Sequence, residues 1–139
     1  MKENTIEGPK YGAFEFQNWP VYERTLDFVA QAYRLCSILP KDSATGLRDQ
    51  LRRASHSIAL NIAEGCSRFS QKEKANYFRI SKGSVFECVA VLDLIRKVGL
   101  IEEDFGPVYK NLETIGRMLS GLIKFVEKRE RGLGLRVNP

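Results

Sequence analysis

Histidine and cysteine are scarce in this 139-residue chain. One histidine, His56, and three cysteines, Cys36, Cys66 and Cys88, are all it offers to a metal or a disulfide. The cysteines are odd in number and widely spaced, with no Cys-x-x-Cys pair, so neither a disulfide framework nor a zinc site is expected. One histidine also cannot furnish the paired Glu-x-x-His motifs of a di-metal centre in a helix bundle. Ser55 and Ser57 merely flank His56 in sequence, and no GxGxxG or GxxxxGKS/T phosphate loop occurs. No catalytic residue, metal or cofactor is therefore expected, and an enzyme is disfavoured.

Long apolar runs are missing too. Nothing approaches the roughly 18 apolar residues that a membrane helix needs. The opening stretch MKENTIEGPKYGAFEF has no apolar core of the signal-peptide kind. The expectation is a cytoplasmic protein with no membrane partner. Strand-like alternation is also absent, whereas helical spacing runs through most of the chain.

What remains is an ordinary globular composition, 43% hydrophobic and 28% charged, sufficient for one domain with a core. Residues 1–18 read as an N-terminal arm, 19–130 as a four-helix bundle and 131–139 as a flexible basic tail. The first helix is expected over about 19–39, with Pro20 in its first turn and Pro40 ending it. Its apolar stripe reads Tyr22, Leu26, Val29, Tyr33 and Cys36. The second starts after Asp42 or Ser43, buries Leu47, Leu51, Ala54 and Ile58, and ends at Gly65 in a left-handed cap. Ser-Gln-Lys-Glu, residues 70–73, is a capping box for the third helix. That helix steps through Tyr77, Ser81, Ser84, Cys88, Val91, Ile95 and Val98 to Gly99. The fourth starts near Asp104 and carries Val108, Leu112, Ile115, Leu119, Leu122 and Val126. Short loops between four such helices predict an antiparallel up-down bundle, an all-α fold.

Two features exceed what a lone bundle requires. The first is polar. Asn61 and Glu64 stand among residues of buried pattern in NIAEGCSRFSQKE, and a buried amide or carboxylate without partners costs several kcal/mol. Hydrogen bonding with Ser81 and Ser84 would make them a structural layer that sets helix register. Glu64 has other options, pairing with Arg53 or Arg68 or capping the turn at 65–67. The second feature is apolar. Residues 85–95, VFECVAVLDLI, hold only Glu87 and Asp93 as charges, and Phe86 falls where the helix should face water. A helix apolar on most sides is buried on most sides, so copies of the chain are expected to associate.

Charge supplies a partner. The net charge is +5, with a pI near 9.2. Eight cations fall between Arg48 and Lys82, against three acids, Asp49, Glu64 and Glu73. Arg48, Arg52, Arg53, Arg68, Lys72, Arg79 and Lys82 are the expected phosphate contacts of an RNA or DNA partner, with Phe69 and Tyr77 able to stack on bases. Lys110, Arg117, Lys124 and Arg131 recur every seven residues on the fourth helix, a second candidate stripe, but they lie opposite the core stripe, where any helix places charge, and a solvated face is the preferred reading.

The segments LRDQLRRASHSIALNIAEGCSRFSQKE and ISKGSVFE resemble the family of ribosomal-RNA intervening-sequence proteins, and IGRMLSGLIK, residues 115–124, is similar to its fourth helix. The resemblance spans roughly 20–128. Arg52, Arg53, Asn61, Glu64, Gly65, Ser70, Glu73, Gly83, Ser84 and Glu87 match its motif positions. It implies an up-down four-helix bundle, a ring-like homopentamer and no catalytic residues. Some members are encoded within insertions in 23S ribosomal RNA genes. A related branch, the accessory variability determinants of diversity-generating retroelements, works beside a reverse transcriptase and binds nucleic acid through a basic surface. This chain departs in having Trp-Pro-Val-Tyr where the first helix begins, Ala59 at a position often proline, and a lower charge than that branch. The functional expectation is thus a non-catalytic oligomer that binds RNA or DNA. The alternative is a protein-interaction scaffold or an accessory subunit, for example of a reverse transcriptase.

Overall fold

The computed structural model describes residues 14–41 and 45–137, the side chains of 45 and 133–137 excepted. Most of the expected arm and the candidate caps Asp42 and Ser43 lie outside the described residues. After a single 3-10 turn at Glu15–Asn18 come four helices: α1 Pro20–Ile38, α2 Thr45–Cys66, α3 Gln71–Val98 and α4 Gly106–Val137. Helices adjacent in sequence pack side by side, and α4 closes onto α1. Among the described residues there is no strand and no close backbone approach across the diagonals, so the four helices form a bundle around a main core, with a second buried cluster of Ala75, Phe78, Ile123 and Val126 between α3 and α4.

The ends follow local chemistry. Pro20 opens α1, where its missing N–H has no partner to lose. The Ser70 hydroxyl accepts the Glu73 N–H at 3.0 Å and starts α3. Gly99, at φ +75°, ends α3 in the left-handed conformation, and its N–H reaches the carbonyls of Ile95 and Arg96. Asp104 caps rather than opens the fourth helix, its carboxylate accepting the Gly106 N–H at 2.9 Å. The helix then continues through Val137, past Arg131.

The expected stripes of α3 and α4 form the core largely as read. Ser81, Ser84, Cys88, Val91 and Ile95 are buried on α3; Val108, Leu112, Ile115, Leu119 and Val126 are buried on α4. On α1 the stripe is displaced by one residue except at its end, where Cys36 is buried as expected. Val21, Thr25, Phe28, Ala32 and Leu35 are buried, while Leu26 and Tyr33 are 45% and 46% exposed. Both rows have the same 4-3 spacing and lie about 100° apart on the helix. Burial goes to the row holding Phe28 and Leu35, and Thr25 satisfies its hydroxyl on the Val21 carbonyl at 2.7 Å. The two tyrosine hydroxyls of the other row stay at the surface, Tyr33 sharing a 2.9 Å hydrogen bond with His56.

Gly65 has a different role from the one its position suggested. It lies within α2, and Gly99 is the one described residue with positive φ. A Cβ at 65 would meet Cε1 of the fully buried Phe78 at 2.6 Å. The glycine lets α2 and α3 close over that ring. Gly65→Ala is expected to cost about 1–3 kcal/mol by overpacking, read as a lowered urea midpoint at unchanged slope. Gly83→Ala, with nothing within 4 Å of the new Cβ, should instead gain about 0.5–1 kcal/mol from helix propensity.

Candidate nucleic-acid interface

The seven cations expected to contact phosphate separate into two groups. Arg48 turns inward. Its Nε donates to the Cys36 carbonyl at 3.2 Å, and Nη2 donates to those of Leu39 and Pro40 at 2.9 and 2.8 Å. It thereby satisfies the carbonyl end of α1. Arg52 bridges to Asp49 at 3.0 Å. Arg68 pairs with Glu64, donates to the Tyr77 hydroxyl at 3.0 Å and lies 4.7 Å over the Tyr77 ring. Arg79 pairs with Glu127 on α4 and bonds Asn76 at 3.1 Å. Arg48, Arg68 and Arg79 each engage two or more groups of the fold, whereas Arg52 makes a single part-exposed bridge within α2. Among the described residues Arg53, Lys72 and Lys82 make no ion pair or hydrogen bond through their charged groups, but they do not converge. Arg53 is mid-α2, Lys72 is in the first turn of α3, and Lys82 is on the α4 side of α3. Arg68 lies over the Tyr77 ring, whereas Phe69 is 99% exposed.

A coherent cationic surface exists elsewhere. A groove of about 1020 Å³ runs along the outside of the α3–α4 pair. Val85, Phe86, Val89 and Ala90 from α3 and Leu112 and Gly116 from α4 supply its apolar lining. Lys82, Lys110, Arg117 and Lys124 edge it, as do Asp93 and Glu113. Glu113 is bridged to Arg117 at 3.2 Å, and Asp93 accepts from Tyr109 at 2.6 Å and from Arg96 at 3.5 Å. Lys82, Lys110 and Lys124 remain without an acidic partner among the described residues. From Lys110 to Lys124 the helix rises about 21 Å. The seven-residue spacing was visible in the sequence. Its placement beside Lys82 and Phe86 required the α3–α4 packing.

Of the expected polar layer, Asn61 and Ser84 meet only through Ser57, Ser81 bonds a backbone carbonyl separately, and Glu64 stands apart. Asn61 donates through Nδ2 to the Ser57 carbonyl at 2.9 Å and hydroxyl at 3.0 Å. Ser57 and Ser84 share a 2.7 Å bond across α2 and α3. The Ser81 hydroxyl donates to the Ile58 carbonyl at 2.7 Å. Glu64 is exposed and stands outside this network, held by Arg68. Ser57 was overlooked, although its four-residue offset from Asn61 puts the two on one helix face.

The thiols are separate and unreactive in character. Burial pushes Cys88 up to about 12 and Cys66 up to about 11, the latter against the opposing pull of Lys74. Both stay protonated at neutral pH, when a thiolate would be the nucleophile. Among the described residues no three His, Cys, Asp or Glu side chains are grouped to hold a metal, and no helix is long and apolar enough to cross a membrane.

Fold and groove together define a helical bundle with a lysine-edged apolar face. The family model for the 23S rRNA-intervening sequence protein matches residues 17–121, and the chain belongs to that family. A crystal structure of a protein of unknown function from the S23 ribosomal protein family of Bacteroides thetaiotaomicron VPI-5482 has the same fold. It is 21% identical, with a TM-score of 0.68, over 75% of this chain and 98% of that one. No curated protein matches the chain.

Arg48→Ala removes its bonds to three carbonyls at the end of α1, two part-buried and one exposed, and should cost on the order of 1 kcal/mol. Thermal melting should record the loss.

Proposed function

We propose that this chain is a non-catalytic, oligomeric nucleic-acid-binding protein of the cytoplasm, with RNA as the favoured polyanion. The observation that carries the reading is the set of three lysines, Lys82, Lys110 and Lys124, left without acidic partners along one groove. Arg117 adds a fourth cation whose single exposed bridge to Glu113 exchanges readily with phosphate.

The helices are inferred to run alternately up and down. Contacts support this: Ser57 meets Ser84 while Cys66 meets Lys74, and Tyr109 meets Asp93 while Glu127 meets Arg79. The assembly is inferred to be a ring of copies, five by family resemblance. The outward row of α1 favours association, because Leu26 and Tyr33 leave nearly half their surface to water beside the partly exposed Tyr22 and Val29. At +5 per chain, five copies would pool a charge of about +25 and add weak phosphate contacts by multivalency.

A scaffold for a protein partner is the second reading, favoured by the apolar floor of the same groove. Two measurements test the proposal. Fluorescence anisotropy with labelled RNA should give affinity that falls steeply with salt and varies little with sequence. Lys110→Glu with Lys124→Glu should lower the log–log salt slope by about 2, whereas Lys72→Glu should leave it unchanged. No binding at low salt, or binding indifferent to salt, defeats the nucleic-acid reading. Light scattering should return a multiple of the 15.8 kDa chain mass, reduced to the monomer by Leu26→Glu with Tyr33→Glu. A wild-type monomer would remove the oligomer.

A further inference from the structure

We infer that the α3–α4 groove receives nucleic acid as a single strand, with an unpaired base stacked on Phe86. The inference rests on the nucleic-acid reading above and narrows its ligand. Phe86 is 66% exposed. It lines both the long groove and a shallower adjoining hollow, and Lys82 and Lys124 border it in each. No described aromatic ring or guanidinium packs on it; the ring pairs and cation–π contacts lie elsewhere. The helix surface beside it is open. A Cβ added at Gly83 or Gly121 would meet nothing within 4 Å, and one at Gly116 would touch only Val85, at 3.8 Å.

Flat apolar surface between cations matches one kind of polyanion better than another. A duplex presents phosphates and base edges, with its base faces already stacked, so the apolar lining would gain nothing from it. A single strand carries both flat apolar faces and an anionic backbone. An acidic amphipathic helix would share the charge match, but it needs a concave bed for its apolar ridge. A two-thirds exposed ring obstructs such a ridge and offers a platform to a base. Lys82 and Lys124, flanking that ring, are placed for the phosphates on either side of the stacked nucleotide.

Full-length protein is titrated by anisotropy with a labelled 15-nucleotide RNA, the same RNA annealed to its complement, and the same strand bearing abasic sites. Phe86→Ala should weaken single-strand binding on the order of 10-fold and leave duplex binding unchanged. The abasic strand should bind wild type about as weakly as the intact strand binds Phe86→Ala. Phe86→Trp should restore affinity, with tryptophan quenching on binding. Equal weakening of single strand and duplex by Phe86→Ala would overturn stacking while the lysine dependence keeps the nucleic-acid reading intact. So would dissociation of the oligomer by Phe86→Ala, or tighter binding of an acidic helical peptide than of RNA. Absence of binding to any of the three nucleic acids would overturn both readings together.

Discussion

The hydrogen bonds between α2 and α3 constrain the bundle more tightly than its apolar packing alone. Hydrophobic burial is non-directional, and two helices with matching stripes can slide by a turn with little change in buried area. The Ser57–Ser84 bond and the Ser81 donation to the Ile58 carbonyl have no equivalent one turn away. Slippage would break the Ser57–Ser84 bond and leave the buried Ser81 hydroxyl without its acceptor, a loss of about 1–3 kcal/mol. Register on this seam then positions α3 against α4. The groove depends on that placement, since its two walls belong to different helices.

The third and fourth helices were legible because each carries one dominant apolar row, bounded by recognisable capping residues. The first was not. Its two rows have identical spacing, and the choice between Leu26 and Phe28 as the inward residue depends on what faces them. The polar layer was legible in kind, since Asn61, Ser81 and Ser84 sit at core spacing. Glu64 fell out of it because Arg68, four residues on, offers a partner at the surface without desolvation. The binding residues were the least legible. A cation's ligand-readiness is set by acceptors far away in sequence, as with Arg79 and Glu127, 48 residues apart.

A division of labour between the two basic residue types follows. Arg48, Arg68 and Arg79 each engage two or more acceptors, as the planar multi-donor guanidinium allows. Lysine, with a compact and strongly hydrated charge, gains less from such fixed geometry, and Lys72, Lys82, Lys110 and Lys124 are left facing outward. Residues chosen from the sequence for their skill with phosphate were the ones most useful to the fold itself. Along the groove the solvent-facing potential therefore comes mainly from Lys82, Lys110 and Lys124, with Arg117 beside them.

The packing of Gly65 under the Phe78 ring carries a consequence for descent. Any side chain at 65 needs about the volume that the phenyl group fills, so the two positions cannot drift independently. A lineage that acquires alanine at 65 should first have trimmed residue 78 to leucine or smaller. Among distant homologues, glycine at the one site and an aromatic at the other should be inherited as a pair.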